Sequence, residues 1–224
     1  MSLPSSLFRR TAGRRRAIRG VLGWLVLAGL VAACSPEFNW RETRSPEQGF
    51  SVLLPARPAS MSREIDLDGL RVDMTMTGAR VDRALFTVGA IRLEARAADR
   101  AADRAADRAA DPAADPAADP AADLAATHAK ALSAMRVAML RNLGAEPQPG
   151  VPIRVGLLDL SGTAKGAVDA ISVEARGLMA GEPVVMQAVF VAYREQLWQA
   201  VAIVAPAQVS QARTMLDSFR LLVP

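Results

Sequence analysis

Apolar residues in this chain follow two spacings, and each predicts a different element. Where they recur every second residue, one face of a strand is implied. Trp40 to Arg44 alternates in this way and predicts a short first strand. Phe50-Ser51-Val52-Leu53-Leu54 predicts a second, stopped by Pro55, with the turn-rich Ser45 to Gly49 between them. Glu64 to Leu67 and Leu70 to Thr77 flank Asp68-Gly69, the kind of pair that tight hairpin turns favour. In the second arm Val72, Met74 and Met76 share one face, while Asp73, Thr75 and Thr77 share the other. Ala84 to Leu93 predicts a further strand.

The other spacing is helical. Leu132, Met135, Met139 and Leu143 fall three or four apart, the stripe of an amphipathic helix, and Gly144, Pro147 and Pro149 stop it. Strand runs resume at Ile153 to Leu160, Val168 to Glu174 and Val184 to Tyr193, then turn through Arg194-Glu195 into Leu197 to Val204. Pro206 opens a second helix with Val209, Ala212, Met215 and Leu216 on one side, and Phe219 to Leu222 closes as a short strand. Strand runs separated by isolated helices predict an α+β fold, a mostly antiparallel sheet flanked by helices.

Residues before Trp40 read differently. Met1 to Gly20 is arginine-rich and free of acids, and Val21 to Val31 is an apolar stretch of signal-peptide length. That stretch falls short of the ~20 apolar residues that span a bilayer. It runs into Val31-Ala32-Ala33-Cys34. This segment resembles the lipobox of bacterial prolipoproteins. The resemblance implies cleavage after Ala33 and acylation of Cys34, with residues 1–33 as signal peptide and 34–39 as a lipid-anchored tether. An ordinary cleaved signal or an uncleaved anchor is the alternative. Several acyl chains on one residue hold a protein on a bilayer durably, whereas one chain does so only marginally. Ser35 stands where an Asp would resemble an inner-membrane retention signal. The expected location is therefore the periplasmic leaflet of the outer membrane, with the inner membrane as the alternative.

Between Ala97 and Asp123 the unit AADR gives way to AADP. Its alanines bury too little area to offset ordering, and Pro112, Pro116 and Pro120 interrupt any regular helix. The expectation is a low-complexity loop inserted in a single domain covering residues 40–224, either a slipped-repeat expansion or a spacer. Loop closure costs grow slowly with length, so such an insertion is tolerated.

Charge excludes one class of partner. The formal net charge is +4, but six arginines and no acids precede Cys34. The remainder nets −2, which argues against nucleic acid. One Cys forbids an intrachain disulfide or a cysteine-based cluster, and one His forbids the common histidine metal sites. No cofactor is expected. His128 reads as a surface or cap residue of the first helix. Asp159-Leu160-Ser161-Gly162-Thr163 departs from an aspartic-protease turn by one residue, and Gly156 to Lys165 lacks the Gly-Lys-Ser/Thr of a phosphate loop. Ser161 has no His to serve as base, Lys165 forms no recognisable Ser–Lys motif with it, and Asp66 and Asp68 flank a turn. No catalytic residue is assigned. Trp40 and Trp198 suit either the core of a chain with only 4% aromatics or a contact surface. Packing accounts for Met74, Met76, Met135, Met139 and Met186.

Trp40-Arg41-Glu42 followed by Gly49-Phe50-Ser51-Val52-Leu53-Leu54-Pro55 resembles the opening of exported proteins with the PsbP-like fold, and Met215-Leu216-Asp217-Ser218-Phe219-Arg220-Leu221 resembles their closing helix and strand. The chain is similar also to uncharacterised lipoproteins of β-proteobacteria. The resemblance implies a central antiparallel sheet between helices. Its members share no enzymatic class, so it says little of function. Two readings are carried forward: a non-catalytic accessory or assembly factor that binds another envelope protein, and a small-ligand or lipid carrier with an apolar pocket in the sheet.

Overall fold

A computed structural model describes residues 37–93 and 120–224 of the chain. The signal segment, Cys34 and residues 97–119 of the repeat lie outside the described residues. Ten strands form one sheet: β1 (Arg41–Ser45), β2 (Phe50–Leu54), β3 (Ala59–Leu67), β4 (Leu70–Val81), β5 (Ala84–Arg92), β6 (Val151–Asp159), β7 (Ala164–Met179), β8 (Glu182–Tyr193), β9 (Gln196–Val204) and β10 (Arg220–Val223). Helix α1 (Pro120–Asn142) separates β5 from β6, and α2 (Val209–Ser218), entered by a 3-10 turn at Pro206–Gln208, separates β9 from β10. The sheet order is β1-β2-β10-β6-β7-β8-β9-β5-β4-β3. Every neighbouring pair is antiparallel except β10 and β6, which run parallel.

The α+β sequence expectation is met, and the helices cover opposite faces of the sheet. Along β9, Trp198, Ala200, Ala202 and Val204 join the cluster that contains Ala212 and Met215 of α2. Leu197, Val201 and Ile203 join the one that contains Ala131, Met135, Leu140 and Leu143 of α1. Successive strand side chains point to opposite faces, so the two clusters are two sides of one sheet. This is why β8 and β9 read as nearly continuous apolar runs instead of alternating. Both their faces are buried.

Three local devices position the parts. The Asp68-Gly69 turn has φ of 56° and 84°, positive at both central positions as a type I′ hairpin requires. The Gly69 amide donates to Asp66 Oδ1 at 2.6 Å. Helix α1 ends in a Schellman motif: Gly144 has φ 64°, its amide bonds to Arg141, and the Ala145 amide reaches back to the Leu140 carbonyl. The Leu143 carbonyl then accepts the amide of Leu178 in β7 at 3.2 Å. A Cβ on Gly177 would fall 2.1 Å from that oxygen, so the helix end seats on β7 only because residue 177 has no side chain.

Beyond its last pairing with β10 at Ser51, β2 meets the end of α2 instead of a strand. Ser218 Oγ accepts the Leu53 amide at 2.8 Å and donates to the Met215 carbonyl at 2.6 Å. A side chain thus substitutes for a ladder partner.

Several strands run longer than the sequence expectation, and two segments expected outside the elements are structured. Helix α1 starts at Pro120, within the last unit of the repeat. Phe38 and Asn39, expected in the tether, are packed: the Asn39 amide donates to the Pro55 carbonyl, and the Phe38 ring stacks on Trp40 and meets Phe86 edge-on.

Candidate functional site

The hairpin of β3 and β4 closes one side of the sheet, and among the described residues β3 pairs only with β4. Along β3 every residue except Ile65 and Leu67 is exposed. Its two faces differ in character. Met61, Arg63, Ile65 and Leu67 stand opposite Met76, Met74, Val72 and Leu70, on the α1 side. Ser60, Ser62 and Glu64 stand opposite Thr77, Thr75 and Asp73. There the hydroxyls of Ser60 and Thr77 lie 2.7 Å apart, and those of Ser62 and Thr75 2.8 Å apart. The hydroxyl pairs tie β3 to β4 across this face, and β3 is the last strand in the sheet order.

Between the hairpin tip and α1 runs an open groove of about 460 Å³, with Asp66, Leu67 and Asp68 on one wall and Lys130, Ala134, Val137, Ala138 and Arg141 on the other. Lys130 Nζ stands 3.6 Å from Asp68 Oδ2 and ties the walls together at one end. A smaller depression of about 320 Å³ is lined by Glu47, Gln48, Asp73, Thr75, Arg92 and Gln196, among others. Both are open to solvent and carry charged groups. Neither is the enclosed apolar cavity that a carrier would use.

Of the residues considered for chemistry, Asp159, Ser161 and Lys165 meet in one turn, while His128 belongs to a different element. His128 lies in the first half of α1, half-buried, with Nε2 sealed from solvent and without a hydrogen-bond partner. Burial holds its pKa below the ordinary value, only partly offset by a hydrogen bond to the Arg194 backbone. Asp159 sits in the β6–β7 turn and accepts from the Ser161 hydroxyl at 2.5 Å and from the amides of Ser161 and Thr163 at 2.9 Å each. Lys165 Nζ adds a contact at 3.2 Å. These donors hold the carboxylate well below the usual range, the Ser161 hydroxyl contributing most. Asp159, Ser161 and Lys165 therefore work as a turn lock, with the Ser161 hydroxyl spent on the carboxylate. Among the described residues no group of three or more His, Cys, Asp or Glu is placed to hold a metal ion.

Trp40 and Trp198 belong to packing. Trp198 is 1% exposed and donates its indole N–H to the Gln48 carbonyl at 2.7 Å. Trp40 is half-buried and meets Phe86 edge-on. Gly49, with φ 70°, lies over the Trp198 ring, and a Cβ there would come within 3.1 Å of it. That explains a Gly before Phe50. Met74, Met135 and Met186 are core, while Met76 and Met139 are half-buried around it.

Sequence reasoning named the hairpin but missed the groove, whose far wall comes from a helix about 60 positions away in the chain. Ala33 and Cys34 lie outside the described residues. Among those described, no helix is long and apolar enough to cross a membrane. No protein-family model matches the chain, and no curated protein matches it.

Proposed function

We propose that this chain is an envelope lipoprotein, held through acylated Cys34 to the periplasmic leaflet of the outer membrane, whose domain binds another envelope protein without catalysis. In this reading residues 1–33 are the signal peptide, the repeat is a low-complexity insertion, and the domain is of the PsbP-like kind. The anchor rests on the apolar stretch, the Val31-Ala32-Ala33-Cys34 segment and the absence of any other Cys. The observation that carries the binding role is the exposed edge strand β3 beside a groove walled by α1. A partner segment adding to β3 as a strand would gain backbone hydrogen bonds there, with the groove reading its side chains. The carrier reading draws no support from grooves that are open and lined by charges.

Metabolic labelling with palmitate tests the anchor. The wild type takes up label, and Cys34→Ala loses it and accumulates unprocessed precursor. Label persisting on the variant would overturn the assignment. Photo-crosslinkers placed along Arg63 to Thr77 in intact cells test the binding role. The expected result is a discrete protein adduct, and crosslinks equal to those from β7 would refute the assignment to this edge.

A further inference from the structure

The described chain begins its packing close to Cys34. Only Ser35-Pro36-Glu37 separates Cys34 from Phe38, and an extended chain over that interval reaches about 14 Å. Phe38 is fixed: its ring stands 6.1 Å from Trp40 and 6.2 Å from Phe86, and the next amide is bonded to Pro55. Phe86 lies near the start of β5, two residues past Ala84, where the register with β4 closes at Val81. Phe38, from which the chain leads back to Cys34, therefore lies beside the start of β5, close to the β4–β5 turn, Asp82-Arg83.

A second turn shares this end. Arg83 reaches Glu182 of the β7–β8 turn at 3.3 Å. That turn carries Leu178, 58% exposed, on a strand end with no apolar requirement of its own. Arg57, in the loop after Pro55, and Arg80 are also exposed here. At this end the arginines at positions 41, 57, 80 and 83 stand against Glu37, Asp82 and Glu182, an excess of one positive charge. Basic residues beside exposed aliphatic ones suit an anionic lipid surface, since phosphate groups meet the cations and acyl chains accept the apolar tips.

The opposite end is far away. Strand β4 runs from Leu70 to Val81, so at ~3.3 Å per residue the β3–β4 turn stands roughly 40 Å from the β4–β5 turn. Strand β8, from Glu182 to Tyr193, separates the β7–β8 turn from the β8–β9 turn by a similar distance.

We infer that the end of the sheet carrying the β4–β5 and β7–β8 turns rests on the anionic bilayer surface in which Cys34 is anchored, with Leu178, Arg80 and Arg83 in contact with lipid. The inference rests on the anchored reading above. It turns the tip of the edge hairpin, at Asp68-Gly69, away from the membrane, toward a partner.

The test places a photo-reactive amino acid singly at Leu178, Arg83, Asp68 or Glu195 of the full chain. Each protein is reconstituted in vesicles of equal parts phosphatidylethanolamine and phosphatidylglycerol. Mass spectrometry reads two quantities: the acyl mass on the Cys34 peptide and the yield of lipid adducts. The expected result is an acylated Cys34 with adducts at Leu178 and Arg83 at least ten-fold above those at Asp68 and Glu195. Acylated protein with equal yields at all four sites, or with more at Asp68 or Glu195, overturns the orientation and leaves the anchor standing. A Cys34 peptide without acyl mass overturns the anchor and the orientation with it. Substituting Arg80→Glu and Arg83→Glu together should cut the Leu178 adducts several-fold, and an unchanged yield refutes the role of charge.

Discussion

Replacing Gly177 by Ala tests how α1 is seated. The added Cβ would stand 2.1 Å from the Leu143 carbonyl oxygen and 2.9 Å from Leu143 Cβ, against the 3.4 Å or more of ordinary contact. The obstructing atoms are mostly backbone at a capped helix end, so no rotamer change relieves them. The end of α1 must retreat by more than an ångström. Two costs follow. Overpacking in a close-fitted contact costs about 1–3 kcal/mol. The Leu178 amide to Leu143 carbonyl bond, 3.2 Å here, stretches beyond useful length and forfeits about 1 kcal/mol. The expected loss is therefore about 2–4 kcal/mol, or roughly 4–16 °C in Tm for a domain of this size. Urea unfolding of both proteins, followed by circular dichroism, measures it. Gly181→Ala is the control. Its φ of 82° disfavours a side chain, but no atom lies within 4 Å of the new Cβ, so only a backbone cost of about 1 kcal/mol applies. If Gly177→Ala costs no more than Gly181→Ala, Leu143 is not held against β7 and the described seating is wrong.

Two further outcomes follow from the core and from titration. Trp198→Phe removes the indole N–H that satisfies the Gln48 carbonyl and leaves a space beneath Gly49, so a loss of about 2–4 kcal/mol is expected in the same urea assay; a loss below about 0.5 kcal/mol would show that the β1–β2 turn does not rest on this ring. His128 has its folded pKa lowered by burial, so the unfolded chain takes up its proton first on acidification. Stability is accordingly full above the ordinary value near 6.5 and falls as pH drops below it. His128→Gln should flatten that slope. As the chain has a single His, its ring proton resonances report the titration directly, and a midpoint at or above 6.5 contradicts the burial.

Local rules served well where one turn or one stripe decided the structure. Asp68-Gly69 demanded positive φ at both positions, and the hairpin formed around it. Phe50 to Leu54 was bounded by Gly49 and Pro55, and the strand has those limits. The first helix was legible only in its second half. Before Leu132 the chain is largely alanine, which forms helix without an apolar stripe, so nothing in the periodicity marked Pro120 as the start. Strand β7 was read as Val168 to Glu174 and runs from Ala164 to Met179, because Gly166 and Gly177 break its alternation while pairing with β6 and β8 extends it. The parallel neighbour of β10 was invisible, since register between segments so distant is set by where α2 delivers the chain and by no local signal. The hairpin half of the candidate surface was legible from its alternation and turn. The groove was not, because a cleft between elements belongs to neither sequence.

The placement of β10 has a consequence for how the chain is made. The β1–β2 hairpin enters the sheet through β10, where Ser51 pairs with Arg220 and Phe50 with Leu221. Its outer amide at Leu53 is satisfied by Ser218, 165 residues later. A segment that leaves the ribosome early must therefore wait, unpaired on that side, until almost the whole described chain has followed it. Closing so long a loop is slow compared with forming the meander of β6 to β9, whose partners are neighbours in sequence. During that interval the exposed side of Phe50 to Leu54 is an apolar strand without a partner, the kind of segment that chaperones exist to cover. Shortening the chain by the few residues of β10 would make that interval permanent.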